Sequence, residues 1–206
     1  MADAMDAEFD TVAMWTAEVV DALGPEYALP AGCRGSGSPE SGACRAARRL
    51  FDRPSVRADA AALPLPDAAV RRAWCLGVIC TLPDQPAGMR ELRRILEPGG
   101  LLGLLVFSAL EPTTEHAPEG NHFPTEDELR GLLAGARLEV VTRAGLAALG
   151  TDEPDWDERM ATVERELARR HADDPRWQVA SRQSDAIGRL LASGAVTGQL
   201  LVVAAG

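Results

Sequence analysis

The chain has 206 residues and a formal net charge of −10, a length that suits one domain with a full core. The excess of acidic residues argues against nucleic-acid binding, because that contact depends on basic side chains that neutralise phosphates. All 21 basic residues are arginine, which excludes lysine Schiff-base chemistry. No apolar run reaches the roughly 18 residues of a membrane span. Four cysteines and no secretory signal predict a reducing, cytoplasmic location.

The N-terminal region combines helices with a loop. Over residues 6–23 apolar side chains recur at helical spacing until Gly24-Pro25, which predicts an amphipathic helix. From Tyr27 the sequence is dense in Gly, Pro and Ser without a period, as loops are. A second helix is predicted over residues 40–51. The apolar side chains of the first helix are Phe9, Val12, Ala13, Trp15, Val19, Val20 and Leu23.

Strands and helices alternate from residue 55 onward. Strands are predicted at residues 55–58, 73–80, 101–107, 138–142 and 199–204. Helices are predicted from about residue 84 to 96, and at 125–133, 155–171 and 177–192. The alternation predicts an α/β fold whose mostly parallel sheet carries helices on both faces.

We expect a single domain over residues 1–206. Its predicted parts are an N-terminal helix and loop (1–39), an α/β core (40–143), and a helical cover with the last strand (144–206). Strand 73–80 is apolar on both sides, which is typical of a central parallel strand. The Pro98-Gly99-Gly100 sequence is expected to end the preceding helix with a sharp turn.

Two linked motifs carry a resemblance to a known family. The first is Asp59-Ala60 followed by Leu63-Pro-Leu-Pro-Asp67, and the second is Glu91-Leu-Arg-Arg-Ile-Leu-Glu-Pro-Gly-Gly. With the apolar strand between them, they resemble the type 11 branch of the class I SAM-dependent methyltransferases. The resemblance implies a Rossmann-like methyltransferase sheet, and it implies that Asp59 and Ala60 line an adenine pocket. The alternative is that Asp59 caps the turn after a strand.

The resemblance leaves out the unit that holds the cofactor. A complete domain of this family begins with a strand and an acidic-x-Gly-x-Gly-x-Gly loop, because glycines let the backbone approach the cofactor. The best candidate here contains Gly35 and Gly37, but Pro30 would block a central strand before it. The sheet is therefore expected to be incomplete and no cofactor is favoured. If SAM does bind, the expected cofactor residues are these two glycines with Asp59 and Ala60.

The missing unit also has a consequence for assembly. In the family's sheet the first strand lies beside the one that corresponds here to residues 73–80. Its loss would leave an apolar strand edge without a partner, which is an aggregation hazard. The resemblance therefore implies a homo- or hetero-oligomer that forms through this edge.

Candidate catalytic residues lie in the loop after strand 101–107. Loops at the carboxyl ends of strands in open α/β sheets face the ligand crevice, so His116, Glu119 and His122 are predicted to be catalytic. Asn121 in the same loop is predicted to bind substrate. The alternative is an ordered surface loop with local caps. No metal site is predicted, because the histidines lack i,i+4 spacing and an adjacent cysteine pair.

Further substrate contacts are predicted in two other regions. They are Arg34 and Ser36 in the N-terminal loop, and Trp177 and Arg182 in the last helix. The alternative for the last two is that tryptophans pack the helices onto the sheet and the arginines are solvated. Cys75 and Cys80, five residues apart on the predicted strand, are expected to point to opposite faces and to act as small buried hydrophobes.

Three functions fit this sequence. The first is a methyltransferase-derived protein that no longer binds SAM and takes part in small-molecule biosynthesis, for example by intramolecular displacement or cyclisation. The second is a genuine SAM-dependent methyltransferase that acts on a small molecule. The third is a non-catalytic subunit that stabilises an active partner.

Overall fold

The computed structural model describes residues 58–112, 117–146 and 155–206. The helices predicted at 6–23 and 40–51 lie outside these ranges, as does all but the last residue of the strand predicted at 55–58. Ala58 belongs to no strand. The described elements are β1 (Val70–Leu76), a 3-10 turn (Ile79–Thr81), α1 (Gln85–Ile95), β2 (Leu96–Ala109), α2 (Glu126–Gly135), β3 (Leu138–Gly145), α3 (Trp156–His171), α4 (Pro175–Ser193) and β4 (Val196–Ala205).

The four strands form one sheet in the order β1-β2-β4-β3. β1 pairs with β2 in parallel, while β4 pairs with both β2 and β3 in the antiparallel sense. Three strands therefore run in one direction and β4 runs against them. The predicted α/β class with a mostly parallel sheet is confirmed, and the sheet is mixed.

The strand predicted at 73–80 is displaced toward the N-terminus. It ends at Leu76 because Gly77 takes a left-handed backbone with a φ of 74°, and a 3-10 turn follows. Cys80 lies in that turn rather than on the strand, so the prediction that Cys75 and Cys80 point to opposite strand faces is wrong. Both thiols are free and buried as expected, and burial raises the pKa of Cys75 to about 12 and that of Cys80 to about 11.

The Pro98-Gly99-Gly100 sequence does not end α1 directly. The helix ends at Ile95, and the three residues lie within the irregular start of β2. Gly99 has a φ of 72°. A Cβ atom on Gly100 would come within 2.9 Å of the Glu97 carbonyl oxygen and 3.1 Å of the Arg71 carbonyl oxygen. The close approach of this turn to the Arg71 carbonyl oxygen of β1 and to its own Glu97 carbonyl oxygen therefore requires glycine at position 100.

One face of the sheet is packed against α1 and α2, and we call it the packed face. Its central side chains, which are paired across the strands, are all buried. They are Ala73 and Cys75 of β1, Leu102, Leu104 and Val106 of β2, and Leu201 and Val203 of β4. Against them lie Met89, Leu92 and Ile95 of α1 and Leu129 and Leu133 of α2. The hydrophobic core of the described residues lies between these two layers.

The two sequence motifs meet through one arginine of α1. Arg94 donates from Nη2 to Glu91 Oε1 and from Nη1 to Asp67 Oδ1, each at 2.7 Å. The same guanidinium donates to the carbonyl oxygens of Leu63 and Leu65. Glu91 in turn accepts the backbone N–H of Leu63 at 2.6 Å. The Leu-Pro-Leu-Pro segment has no regular secondary structure, and these bonds fix it to the helix.

Candidate functional site

The loop that carries the predicted catalytic residues lies at the carboxyl ends of β1 and β2. Its backbone N–H at His122 donates to the carbonyl oxygen of Cys80 at 2.7 Å. The His122 carbonyl oxygen accepts from Nε2 of Gln85 at 2.6 Å. Cys80 and Gln85 both follow β1, so the loop after β2 is held against the segment after β1. This is the edge of the sheet at which ligands bind in open α/β folds.

His122 combines a fixed backbone with an exposed side chain. Both of its backbone polar groups are hydrogen-bonded, while the imidazole faces solvent. The neighbouring Phe123 and Pro124 are buried, and Pro124 accepts the backbone N–H of Ala109 at 3.0 Å. The loop is thus anchored on both sides of His122.

The other residues predicted in this loop have different surroundings. Glu119 is exposed in a turn closed by the bond from Asn121 N–H to the Pro118 carbonyl oxygen at 3.0 Å. Asn121 is half-buried. Thr125, after the loop, forms a capping box with Glu128 at the start of α2. His116 lies outside the described residues.

The remaining predicted substrate contacts are not brought together with the loop. Trp177 is half-buried and Arg182 is exposed, and both lie on α4. Within the described ranges, no hydrogen bond or ion pair joins either side chain to His122 or Asn121. Arg34, Ser36, Gly35 and Gly37 lie outside the described residues.

Asp59 closes its own turn. Its Oδ1 accepts the backbone N–H of Ala61 at 2.8 Å, and its carbonyl oxygen accepts the N–H of Ala62 at 3.0 Å. These bonds form an Asx turn, which is the structural role that the sequence offered for Asp59 as the alternative to an adenine pocket. Ala60 is buried beside an apolar cavity of only about 20 Å³, which it shares with Trp74 and Cys75. That space holds about one water molecule, so the described residues at this point do not provide room for an adenine ring.

A larger depression lies on the outer side of the α1–α2 pair. It is an open groove of about 420 Å³ lined by Gln85, Arg90, Glu128 and Leu132, among others. Gly131 and Gly135 of α2 also line it. The groove meets the candidate site only at Gln85, which bonds to the His122 carbonyl.

Sequence reasoning missed a polar group buried within the packed face. Gln199 Nε2 donates to Ser108 Oγ at 2.8 Å, and both residues are almost fully buried. The same amide nitrogen lies 3.3 Å from Glu126 Oε2, and Glu126 forms an ion pair with Arg143 at 2.6 Å. The sequence signal for this group is a serine in β2 and a glutamine in β4, each at a packed-face position of an otherwise apolar strand. The group joins β2, β4, β3 and the first residue of α2.

The described residues contain no cluster of three or more potential ligands for a metal ion. In those same ranges no helix is long and apolar enough to cross a membrane.

Comparison with known proteins now identifies the fold. A family model described as a methyltransferase domain matches residues 38–104. The [4+2]-cyclase SpnF superimposes with a TM-score of 0.57 at 23% identity, over 79% of this chain and 60% of SpnF. The chain has the fold of the class I methyltransferases. The resemblance read from the two motifs is therefore confirmed.

Two further solved structures share the methyltransferase fold. Geranyl diphosphate C-methyltransferase from Streptomyces coelicolor A3(2), in complex with S-adenosyl-L-homocysteine, has a TM-score of 0.54 at 16% identity, over 80% of this chain and 57% of that one. The StiE O-methyltransferase domain has a TM-score of 0.53 at 20% identity, over 79% and 54%. The chain thus spans 54% to 60% of the length of these three proteins.

Proposed function

We propose that the chain is a methyltransferase-derived protein that no longer binds SAM and catalyses an intramolecular ring closure in small-molecule biosynthesis. One observation carries the proposal. The methyltransferase family model matches only from residue 38, after Gly32, Gly35 and Gly37. The stretch expected to contain the cofactor loop is therefore outside the part that the family model recognises.

The surroundings of Asp59 support the same proposal. Oδ1 of Asp59 accepts the Ala61 N–H, and the side chain is exposed. The adjoining cavity has a volume of only about 20 Å³. We infer that Asp59 serves the local turn, and it is the small cavity, rather than the carboxylate itself, that argues against an adenine site here.

A ring closure suits a scaffold of this kind because it needs orientation more than a co-substrate. Holding the two reacting ends of one molecule in an attack geometry removes several kcal/mol (about 7–11 in favourable cases) from the barrier. In a closure by displacement, a nucleophile such as an amine forms the new bond to carbon. The leaving group departs with the bonding electrons, and the proton of the nucleophile passes to a base. His122 is the base that we assign to this step.

The similarity to SpnF is compatible with ring closure, although a [4+2] cycloaddition is not a displacement. SpnF is a [4+2]-cyclase with a similar fold, so this fold is compatible with ring-forming chemistry. The reaction is proposed for this chain from its own residues, because the likeness at 23% identity establishes the fold alone.

The test is a reaction with a metabolite extract of the native host, with and without added SAM, followed by mass spectrometry. Ring closure by displacement predicts a product that forms equally without SAM and that is lighter than its precursor by the leaving group together with one proton. His122→Ala should slow it at least about tenfold. Conversion that requires SAM and adds the mass of one methylene group would contradict the proposal.

Genuine methyl transfer is the second candidate, because similar structures hold SAM or S-adenosyl-L-homocysteine. On this account the glycines before residue 38 would have to form a cofactor loop. Methyl transfer therefore predicts that Gly35→Val and Gly37→Val each abolish product formation. Ring closure at the His122 site needs no cofactor loop, so it predicts that product formation persists in both variants.

We further propose that the outer edge of β1 pairs with another protein chain, so that the protein acts within a complex. In the described part of the sheet β1 is a terminal strand, and Leu76 on it remains 39% exposed. Such edges pair readily with other strands. Light scattering of the purified protein should show an oligomer or an aggregate. A stable monomer at high concentration would refute the pairing.

A further inference from the structure

One buried side chain joins both stems of the loop that carries His122. The loop follows β2, which ends at Ala109, and it precedes α2, which begins at Glu126. Nε2 of Gln199 donates to Oγ of Ser108 on the first stem at 2.8 Å and to Oε2 of Glu126 on the second at 3.3 Å. Gln199 belongs to neither stem, since it lies on β4. We call Ser108, Gln199 and Glu126 the loop clamp.

The orientation of the Gln199 amide follows from the chemistry of its partners. A carboxylate only accepts hydrogen bonds, so the amide nitrogen and not the amide oxygen faces Glu126. The nitrogen carries two N–H groups, which is one for the carboxylate and one for the serine oxygen. Gln199 and Ser108 are 8% and 5% exposed, so the bond between them is shielded from water. In such surroundings a satisfied polar pair fixes its own position, because leaving either group unpaired is costly.

Glu126 is held from its other side as well. Its Oε1 forms an ion pair with Arg143 of β3 at 2.6 Å, while Oε2 faces Gln199. Glu126 is also the first residue of α2, where the helix dipole favours a negative charge. Two neighbouring strands, β3 and β4, thus fix the beginning of α2. The sheet rather than the loop sets the position of this carboxylate.

The loop clamp completes the attachment of the loop on the second side of β2. In the sheet order β1-β2-β4-β3, the backbone of His122 is bonded toward the β1 side, through Cys80 and Gln85. The loop clamp acts on the opposite side, toward β4 and β3. Only three residues lie between His122 and Glu126 in the chain. A shift of the start of α2 would therefore displace His122.

We propose that Gln199 is a positioning residue for His122, because it fixes the loop so that the imidazole stays at one place at the carboxyl end of the sheet. The inference rests on the proposed function only for the use of His122 as a base. Gln199 itself is buried on the packed face and acts through the loop. Its amide donates to a carboxylate and to a hydroxyl oxygen at once, which a methionine side chain cannot do.

The first test is hydrogen exchange at the His122 amide, measured by NMR. Gln199→Met keeps the length of the side chain and removes both bonds, and we expect at least about tenfold faster exchange. Glu126→Ala, at a half-exposed position, cuts the loop clamp at one stem and should also accelerate exchange. This second variant decides the question if Gln199→Met does not fold.

Two controls separate positioning from general destabilisation. Asp127→Ala removes the neighbouring acid of α2 and its ion pair with Arg130, and within the described ranges Asp127 has no bond to the loop clamp. Val203→Ala opens the core on the same face of β4 and lowers the global stability. Both should leave exchange at His122 within about twofold of the wild type, because local opening of the loop exposes this amide.

Two results of this test would overturn the proposal. One is exchange at His122 that is unchanged in Gln199→Met and in Glu126→Ala, since the backbone bond from Ala109 N–H to the Pro124 carbonyl oxygen would then hold the stems by itself. The other is equal acceleration in these variants and in the two controls.

The second test follows the His122 imidazole itself. Its Cε1–H signal, identified by its loss in His122→Gln, should shift or broaden in Gln199→Met and stay in place in Asp127→Ala. The same proteins are then incubated without SAM with the metabolite extract of the native host. Gln199→Met should slow product formation at least about tenfold, because a displaced base is misaligned for proton transfer. Asp127→Ala should form the product at the wild-type rate.

Failure of this proposal and failure of the proposed function give different results. If the wild type forms no product without SAM, ring closure fails, while faster exchange and a changed imidazole signal in Gln199→Met still support the loop clamp. If His122→Ala slows product formation and Gln199→Met changes neither the exchange, the imidazole signal nor the rate, the positioning role fails and ring closure stands.

Discussion

Arg94 donates a hydrogen bond to Asp67 at 2.7 Å although 27 residues separate them in the chain. Asp67 closes the first methyltransferase motif, and Arg94 lies in the second. The separation of the two motifs is therefore explained by a physical contact, in which a helix holds an irregular Leu-Pro-Leu-Pro segment at the edge of the core. This role is structural and does not depend on a bound cofactor.

Removal of this arginine should destabilise the fold. Arg94→Ala deletes bonds to Glu91 and Asp67 and to the carbonyl oxygens of Leu63 and Leu65. We expect a loss of about 2 kcal/mol in the free energy of unfolding, measured with urea. Arg94→Lys should restore less than half of it, because an ammonium cannot reproduce the planar fork.

Arg169 on α3 provides the matched control. It also forms two bonds to one glutamate, Glu166, each at 2.9 Å, but the pair is exposed on one helix. Arg169→Ala should therefore leave the free energy of unfolding nearly unchanged. A similar effect of the two substitutions would contradict the role assigned to Arg94.

The pH dependence of stability should contain a contribution from Glu91. The hydrogen bond from Arg94 is the main cause that lowers the pKa of this carboxyl below its ordinary value of 4.5. A carboxyl whose pKa is lowered by folding stabilises the protein above its unfolded pKa, and this stabilisation is lost as the pH falls toward the folded pKa. The stabilities of the wild type and Glu91→Gln should differ at pH 7, and the difference should shrink as the pH falls below the unfolded pKa of about 4.3. A difference that persists unchanged at acidic pH would contradict the assignment.

Two glycines should respond in opposite directions to substitution by alanine. Gly100→Ala would force a methyl group to within 2.9 Å of the Glu97 carbonyl oxygen and should cost about 1–3 kcal/mol in urea unfolding. Gly131 is at an exposed position of α2, and no atom lies within 4 Å of the added carbon. Gly131→Ala should therefore stabilise the protein by about 0.5–1 kcal/mol. Equal effects would contradict the close approach of Gly100 to the Arg71 carbonyl oxygen of β1 and to the Glu97 carbonyl oxygen of its own turn.

Gln85 should hold the candidate catalytic loop in position. Gln85→Ala removes the donor to the His122 carbonyl, and the amide of His122 should then exchange its hydrogen at least about tenfold faster. Gln178→Ala is the control. This side chain also donates a hydrogen bond to a backbone carbonyl, that of Ala172, but at a position remote in sequence from His122. Unchanged exchange at His122 would show that the loop is held by its other contacts alone.

Much of the fold could be predicted from the sequence because apolar alternation marks strand centres and helical faces. The centres of β2, β3 and β4 and all four described helices were found in this way. Their ends depend on details that the pattern does not contain. The end of β1 at Leu76 follows from the left-handed Gly77, and α1 ends before the Pro-Gly-Gly sequence that was expected to stop it.

The candidate site was less accessible to sequence reasoning for a different reason. The loop around His122 was found because it follows an apolar strand. Its anchoring by Cys80 and Gln85 could not be predicted in this way. Gln85 and His122 are 37 residues apart, and a local hydrophobic period gives no information about contacts at that distance in sequence. Ser108 and Gln199, which form a buried hydrogen bond, are 91 residues apart in the chain. The only sign of this contact in the sequence is that each is a polar residue within an apolar strand.

The central claim is that this methyltransferase fold no longer binds SAM. Calorimetric titration of the purified chain with SAM and with S-adenosyl-L-homocysteine tests it most directly. Asp59→Asn serves as a matched variant, since it keeps the local turn but lacks the charge. The account predicts no heat of binding from either ligand and the same result in the variant. Micromolar binding that Asp59→Asn weakens would contradict it and would restore methyl transfer as the function.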